Sequence, residues 1–206
     1  MSLLSMIVKG GVLMYVLMVI SVIAIGIIID KYRQLRIVVT ANNKLKASLA
    51  QQDKLDNMKS VIKMYGDQSP LGMMLDKLIN TKTRNWELMN QSMESTATLQ
   101  LHQLEKGFGW LSTFAAVAPL IGFLGTVIGM VRVFMNIHAQ SQSGVDISML
   151  AGGIWEALLT TIGGLIVGIF TIIFYNDLVQ HLENIAKDMQ DTAVDYMIKL
   201  DASKEL

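Results

Sequence analysis

Among the polar side chains inside two apolar stretches of the chain, four have types and spacing that could do chemistry. Glu156, Thr160 and Thr161 belong to the stretch "EALLTTIGGLIVGIFTIIF", and Thr126 belongs to "FGWLSTFAAVAPLIGFLGTVIGMV". A carboxylate within an apolar helix is costly and indicates a functional site. Threonine hydroxyls both donate and accept hydrogen bonds, so they can serve an ion or water in surroundings that otherwise offer no polar group.

The spacing of the threonines predicts that two of them share one depth. A short link at about residues 139–147, centred near Ser143, joins the two stretches. Thr126 lies about 17 residues before this centre and Thr161 about 18 after it, which places both roughly 25 Å along their helices. We therefore predict that the two hydroxyls lie level near the middle of a bilayer. The alternative is that each hydroxyl only bonds a carbonyl of its own helix.

Small residues accompany both threonines at helical spacing. Small faces let helix backbones approach closely in a membrane, so their usual role is helix packing. A face that is small except for one hydroxyl also suits the wall of a pore, and the sequence leaves both interpretations open. The predicted small residues are Pro119, Gly122 and Gly129 around Thr126, and Ala157, Gly164 and Gly168 around Thr161.

Glu156 has a candidate partner of opposite charge. By the same counting, Arg132 lies at nearly the depth of Glu156, toward the outer side of the bilayer. A salt bridge between them would make Glu156 structural, whereas an unpaired Glu156 would belong to an ion path. The sequence favours neither interpretation.

The elements that must position these groups are membrane-spanning helices. The 206 residues have a mean hydropathy of +0.44, and 17% are charged, below the usual share of about 25%. Three apolar blocks, Val12 to Ile29, Phe108 to Val131 and about Ala157 to Tyr175, each approach the roughly 20 residues that cross a bilayer. The fold class we predict is an all-α integral membrane protein with three spans and long cytoplasmic helical extensions.

The distribution of basic residues predicts the orientation. Lys31, Arg33 and Arg36 follow the first block, and the link at about residues 139–147 contains no Lys or Arg. The positive-inside rule then places the N-terminus outside and the C-terminus in the cytoplasm. The predicted order is an outer-interface segment (1–11), span one (12–30), a cytoplasmic helical region (31–107), span two (108–138), a periplasmic loop (139–147), span three (148–176) and a cytoplasmic helix (177–206).

Apolar periodicity predicts helices between and after the spans. Ser69 is expected to cap a helix that runs from Leu71 to Lys106 and straight into span two. The C-terminal helix is expected to continue span three without a break. The predicted apolar faces are Leu45, Leu49, Leu55, Met58 and Ile62 in the first cytoplasmic helix and Leu178, Leu182, Ile185, Met189, Val194 and Met197 in the last.

The sequence contains no sign of enzyme chemistry. It has no cysteine, its three histidines are scattered without the spacing of metal ligands, and it lacks phosphate-binding and nucleophile motifs. The formal net charge is zero, which gives no electrostatic reason to expect nucleic acid. We expect neither an enzyme nor a bound cofactor or metal.

Two segments resemble the MotA/TolQ/ExbB family of ion-driven motor channels. They are "LSTFAAVAPLIGFLGTVIGMVRVF" and "GGIWEALLTTIGGLIVGIFTIIFYNDL", and "SPLGMML" is similar to a family motif. The resemblance extends over about Gly10 to Leu178, and three spans resemble ExbB or TolQ more than MotA. Thr126 and Thr161 match the family's pore threonines, Glu156 matches the acidic residue before the second, and Asn176 matches the asparagine at the foot of span three.

The resemblance implies an assembly and a mechanism. Five copies would enclose a central pore in the bacterial inner membrane. Small faces would leave room there for the single spans of two copies of a partner similar to ExbD or TolR, whose membrane Asp binds the ion. Ion flow would then drive mechanical work on the periplasm or outer membrane, for example to energise outer-membrane transport.

The resemblance leaves the ion and some roles open. Thr160 stands where many proton-using relatives have alanine, whereas sodium-using flagellar relatives tend to carry paired threonines; protons are favoured and sodium is the alternative. Arg132 is atypical of the family. Two other functions stay open: a non-conducting membrane scaffold whose cytoplasmic helices bind partners, and a self-sufficient transporter, which the lack of an internal repeat disfavours.

Overall fold

The computed structural model describes residues 10–52, 55–66, 69–80, 85–139 and 147–202. Within these ranges the chain is all helical, as predicted, with six helices and no strand. Three helices are long and apolar enough to cross a membrane. The predicted outer-interface segment, apart from its last two residues, and most of the predicted periplasmic loop lie outside the described residues. The helices are α1 (Gly11–Ala50), α2 (Leu55–Tyr65), α3 (Pro70–Asn80), α4 (Trp86–Glu105), α5 (Phe108–Ala139) and α6 (Ile147–Ala202).

The chain divides into two compact units, which we name by their composition. The apolar unit comprises the described parts of residues 1–29 and 107–176, which hold the three apolar blocks. The polar unit comprises the described parts of 30–106 and 177–206. The three candidate spanning segments therefore share one unit, and it contains every residue predicted for the functional site.

In the apolar unit, α5 and α6 approach closely because small residues face each other. A methyl group on Gly164 would lie 2.6 Å from the Ala118 carbonyl oxygen and 2.8 Å from the Gly122 Cα. Contacts this short with backbone atoms mean that the two helices touch main chain to main chain. α1 covers α6 one step further round, where Met14 Sδ would lie 3.0 Å from a methyl group on Gly163.

The polar unit has a core of its own, formed by faces that the periodicity largely predicted. Leu45, Leu49 and Ile62 are buried, as are five of the six predicted apolar residues of the last helix. The exception is Val194, which is exposed, while Ala193 is fully buried in its place. The reason is helical spacing, because Ala193 lies four residues after buried Met189 and Val194 lies five.

The motif at residues 69–72 has a local explanation in the polar unit. Ser69 caps α3, as predicted, since its Oγ accepts a hydrogen bond from the Gly72 N–H at 3.0 Å. Pro70 occupies the first helical position, where a missing N–H costs nothing. The buried Asn42 side chain of α1 accepts a bond from Leu71 N–H at 3.3 Å. Gly72 lies against the Tyr65 carbonyl, where a methyl group would meet it at 2.5 Å.

The prediction of one helix from Leu71 into span two is wrong. α3 ends at Asn80, and α4 begins after Asn85, whose side chain caps it by accepting from Glu87 N–H at 2.9 Å. A turn at Lys106 and Gly107 then separates α4 from α5, and Gly107 has φ +97°. This backbone conformation is open to glycine and costly for other residues, so the helix ends there. In contrast, α6 continues past the third apolar block without a break, as predicted.

Three polar contacts connect helices of the polar unit. Lys31 is buried, and its Nζ donates to Gln34 Oε1 at 2.7 Å and to the Leu104 carbonyl at 3.4 Å, in the last turn of α4. Tyr32 OH donates to Asp177 Oδ2, and Lys46 pairs with Asp188, both on α6. These contacts fix the register of α1 against α4 and α6.

Candidate functional site

The predicted small residues meet in one seam between α5 and α6. A methyl group on Gly122 would lie 2.8 Å from the Thr160 carbonyl, and one on Gly129 would lie 2.8 Å from Ala157 Cβ. One on Gly168 would lie 2.6 Å from Pro119 Cγ. Together with the Gly164 contact, all six predicted residues therefore serve close packing between two helices of one chain. Their contacts favour the interpretation that these residues pack two helices together over the interpretation that they form the open wall of a pore.

The seam also contains a glycine that the sequence reasoning missed. The Thr160 side chain lies directly against Gly125, where any methyl group would overlap its hydroxyl. Helical spacing could have identified it, since Gly125 lies three residues after Gly122 and four before Gly129 and so shares their face. Gly125 is therefore the residue that lets Thr160 be buried.

The adjacent threonines have different surroundings. Thr160 is only 2% exposed, and its Oγ1 donates to the Ala157 carbonyl at 2.7 Å, with the Gly122 carbonyl at 3.4 Å. Thr161 is partly exposed, and its Oγ1 donates across the seam to the Gly122 carbonyl at 3.0 Å. One hydroxyl is thus sealed within the chain, and the other remains partly open.

Thr126 binds only its own helix. Its Oγ1 donates to the Phe123 carbonyl at 2.7 Å, and the side chain is partly exposed. The contacts of the seam pair Gly122 with both Thr161 and Gly164, and Pro119 with Gly168, so Thr126 and Thr161 lie within about 6 Å, one helical turn, of each other in height.

Glu156 is held between two other elements of the apolar unit. Its Oε1 lies 3.6 Å from Arg132 Nη1 on α5. The same oxygen lies close to Gly11, which begins α1 with φ +68° and would not tolerate a Cβ there. A carboxylate beside a guanidinium and a helix N-terminus is favoured by both positive potentials. This geometry fits the interpretation in which Glu156 is a structural residue held by a salt bridge. The contact of Gly11 with Glu156 was not among the sequence-based predictions.

A pocket of about 320 Å³ opens beside this carboxylate. Glu156 and Arg132 supply its charged lining, Thr160 borders it with a nearly buried side chain, and Leu13 and Ile128 are among its apolar lining residues. Among the described residues, no group of three or more acidic or histidine side chains could hold a metal ion. The polar groups of the pocket suit water or a proton better than a resident metal.

The charge pair gives a prediction that does not depend on function. We expect Arg132→Met to destabilise the protein more than the double variant Arg132→Met with Glu156→Gln, because the single change leaves a carboxylate without its partner. Since both side chains are partly exposed, a coupling of about 1 kcal/mol is expected from the four unfolding free energies. As a control, Arg36→Met in place of Arg132→Met should show no coupling to Glu156→Gln. A coupling free energy of zero between Arg132→Met and Glu156→Gln would show that the salt bridge does not stabilise the protein.

Comparison with known proteins agrees with this architecture. The model of the MotA/TolQ/ExbB proton channel family matches residues 66–191, more than half of the chain. The chain is 28% identical to a biopolymer transport protein, ExbB-like 1, of Synechocystis sp., over 96% of this chain and 76% of that protein. It is 33% identical to the ExbB of Neisseria gonorrhoeae over 56% of this chain and 51% of the relative.

A further relative, ExbB of Salmonella typhimurium, is also 33% identical, over 45% of this chain and 37% of that protein. The chain thus spans about three quarters of the Synechocystis relative and about half or less of the other two. The family model covers most of α5 and α6, including Thr126, Glu156 and Thr161. The chain belongs to the MotA/TolQ/ExbB proton channel family.

Proposed function

We propose that this chain is the channel subunit of an ion-driven motor in the bacterial inner membrane, with its N-terminus in the periplasm and its C-terminus in the cytoplasm. Five copies would surround two single-span partners similar to ExbD or TolR, and the chain itself would catalyse no reaction. The observation that carries the proposal is the hydroxyl of Thr161, partly exposed within an apolar span and bonded to the backbone of the neighbouring helix.

The hydrogen bonds of the threonines determine what they can offer to an ion. A hydroxyl has one proton and two lone pairs. Thr126 and Thr161 both donate that proton to a backbone carbonyl. Each oxygen therefore remains as an acceptor, which suits water or the protonated carboxyl of a partner helix. One proton crossing 100 mV supplies about 2.3 kcal/mol for mechanical work.

The heights of the threonines suggest one short band of acceptors. Thr126 and Thr161 lie within about one turn, or 6 Å, of each other along the seam. In a closed assembly, each threonine position would form a ring of hydroxyls, and the two rings would lie close together on the ion path. A neutralised carboxyl could then exchange one acceptor for another within a short movement.

The burial of Thr160 favours protons over sodium. Sodium needs several oxygen ligands at once, whereas a proton needs only a chain of hydroxyls or waters. Thr160 is sealed behind Gly125, so the paired threonines do not both present open oxygens. We propose protons as the ion and keep sodium as the alternative.

The names of the relatives point to the task. Those of Neisseria and Salmonella are named biopolymer transport protein ExbB, and the Synechocystis relative has a similar name. We propose that the work energises transport across the outer membrane, with the partner transmitting force through the periplasm.

One observation favours the non-conducting scaffold as a second candidate. All six predicted small residues pack α5 against α6, and all three threonine hydroxyls donate to backbone carbonyls. A purely structural seam would have the same contacts. The difference between the two functions therefore lies in whether ions cross the membrane.

Reconstitution into liposomes tests the proposal. The purified chain is incorporated alone or with the single-span, Asp-bearing protein that co-purifies with it, and proton entry is followed with an internal pH dye under an imposed potential. We expect proton flux only with both proteins, and no dependence on sodium. Flux with the chain alone would instead support a self-sufficient transporter, and no flux in any preparation of intact complex would support the scaffold.

A further inference from the structure

A pocket of about 330 Å³ lies between α4 and α6 in the polar unit. Its floor is apolar and buried, and consists of Met74 of α3, Met93 of α4 and Ala193 of α6. The volume falls within the range of about 300–1,000 Å³ that is usual for ligand sites. Methionine side chains are flexible and polarisable, so this floor can adapt to an aliphatic chain that lies against it.

The sides of this pocket are polar, and we name them the acidic rim: Asn90 and Glu94 of α4, and Gln190 and Asp191 of α6. All four side chains are exposed. Among the described residues, neither carboxylate has an ion-pair or hydrogen-bond partner, and the lining contains no Lys or Arg. The pocket therefore presents two negative charges, one from each helix, above an apolar floor.

A lysine or arginine side chain fits this arrangement. Its aliphatic stem would lie on Met74 and Met93, because long basic side chains cover apolar surface while their charged ends stay near water. Its charged end would donate to Glu94 and Asp191, and such charge-assisted hydrogen bonds are about twice as strong as neutral ones. A metal ion would use the oxygens of the rim alone and leave the apolar floor without a role.

The single-span partner of the proposed function would bring basic side chains within reach of this pocket. Since that partner would transmit force through the periplasm, the other end of its span would lie in the cytoplasm. Cytoplasmic segments within about 15–20 residues of a span carry an excess of Lys and Arg. Asp191 lies about 21 Å along α6 from Asp177, where the polar unit begins on this helix, and about seven extended residues cover that distance.

We infer that the pocket between α4 and α6 binds the basic cytoplasmic tail of the single-span partner, with one lysine or arginine side chain inside the pocket. The inference rests on the proposed function, which supplies the partner and its orientation. Opposite charges on the tail and the acidic rim select the occupant, and the apolar floor holds its aliphatic stem. With two partners among five copies of this chain, tails would fill at most two of the five pockets.

Cross-linking through an introduced cysteine tests the inference, since the sequence has no native cysteine. The complex with the co-purifying single-span protein is prepared with Asn90→Cys and treated with a short reagent that joins a thiol to an amine. The joined peptides are then identified by mass spectrometry. We expect Asn90→Cys to be joined to the partner before its span, through a lysine or the N-terminal amine, in no more than two of every five copies.

Leu88→Cys is the matched control on the same helix. Leu88 is 49% exposed, and it lies about 3 Å in height and about 200° round α4 from Asn90. A cysteine there is accessible at nearly the same height but on the opposite side of the helix, so it should give no cross-link to the tail. Equal yields from Asn90→Cys and Leu88→Cys would show that the tail is not bound in the pocket.

Removal of charge gives a second readout. Glu94→Gln with Asp191→Asn should lower the Asn90→Cys cross-link severalfold, because the tail loses both of its charged acceptors. Glu105→Gln with Glu183→Gln removes the same charge from the same two helices outside the pocket and should leave the cross-link unchanged. All four carboxylates are on exposed residues, so the fold should persist, which thermal unfolding would check.

Proton flux in the same preparations separates the ways in which the inference can fail. If flux requires the partner but its tail is not joined to Asn90→Cys, or if the captured amine belongs to a second copy of this chain, the inference is wrong and the proposed function is unaffected. If no single-span protein accompanies the chain, both are wrong. A cross-link to the tail that depends on the acidic rim would support the inference.

Discussion

Thr161→Val is expected to lower proton flux through the reconstituted complex at least tenfold while the complex still assembles. Valine keeps nearly the volume of threonine and removes the oxygen that would accept from water or a protonated carboxyl. If this acceptor stabilises the passing proton by about 1.4 kcal/mol, its loss would slow proton passage by about tenfold, and by more if the site is obligatory. The fold should persist, because the Gly122 carbonyl keeps its own helical bond and loses only the Thr161 donor.

Thr171→Val is the matched control on the same helix. Thr171 is buried, and its Oγ1 donates to the Val167 carbonyl of its own helix at 2.7 Å. We expect this variant to conduct normally, with thermal stability near that of the unmodified chain. Normal flux in Thr161→Val, with assembly intact, would identify Thr161 as a packing residue and favour the scaffold.

Gly164→Ala is expected to destabilise the protein strongly although it adds only one methyl group. The new Cβ would lie 2.6 Å from the Ala118 carbonyl, 2.8 Å from the Gly122 Cα and 3.0 Å from the Gly122 nitrogen. All three are backbone atoms, so no side chain can move aside and the two helices must separate. Overpacking of this kind costs about 1–3 kcal/mol, which thermal unfolding in detergent would measure.

Gly152→Ala tests the same substitution at an open position of the same helix. A methyl group on Gly152 would have no neighbour within 4 Å. Its helix propensity should make alanine neutral or slightly stabilising there, by up to about 1 kcal/mol. Equal losses for Gly152→Ala and Gly164→Ala would show that the seam is not the reason, and a stable Gly164→Ala protein would contradict the close approach of α5 and α6.

The sequence predicts those features that depend on local or periodic patterns. Apolar blocks of sufficient length predict three spanning helices, and the serine-proline pair predicts the start of α3. The interaction partner of a polar side chain is harder to predict from the sequence, because it depends on how two helices pair. Counting from the link identified Arg132 as a neighbour of Glu156, but it could not show that Thr161 donates to the Gly122 carbonyl of the other helix.

Other features depend on single backbone positions or on contacts between residues far apart in sequence. Gly107 ends α4 because it adopts a positive φ, but a glycine before an apolar block can equally continue a helix. The contact of Gly11 with Glu156 joins residues far apart in sequence, and no spacing rule connects them. Ala193 replaces Val194 in the core because helical geometry outweighs side-chain size.

The contact between Arg132 and Glu156 has a consequence for biogenesis. The arginine belongs to the second span and the glutamate to the third, so during synthesis the cation leaves the ribosome first. An isolated charge is expensive in hydrocarbon, and the cost falls when its counter-ion arrives beside it. The translocon would therefore release these two segments to lipid most easily as a hairpin, with the late carboxylate neutralising the early guanidinium.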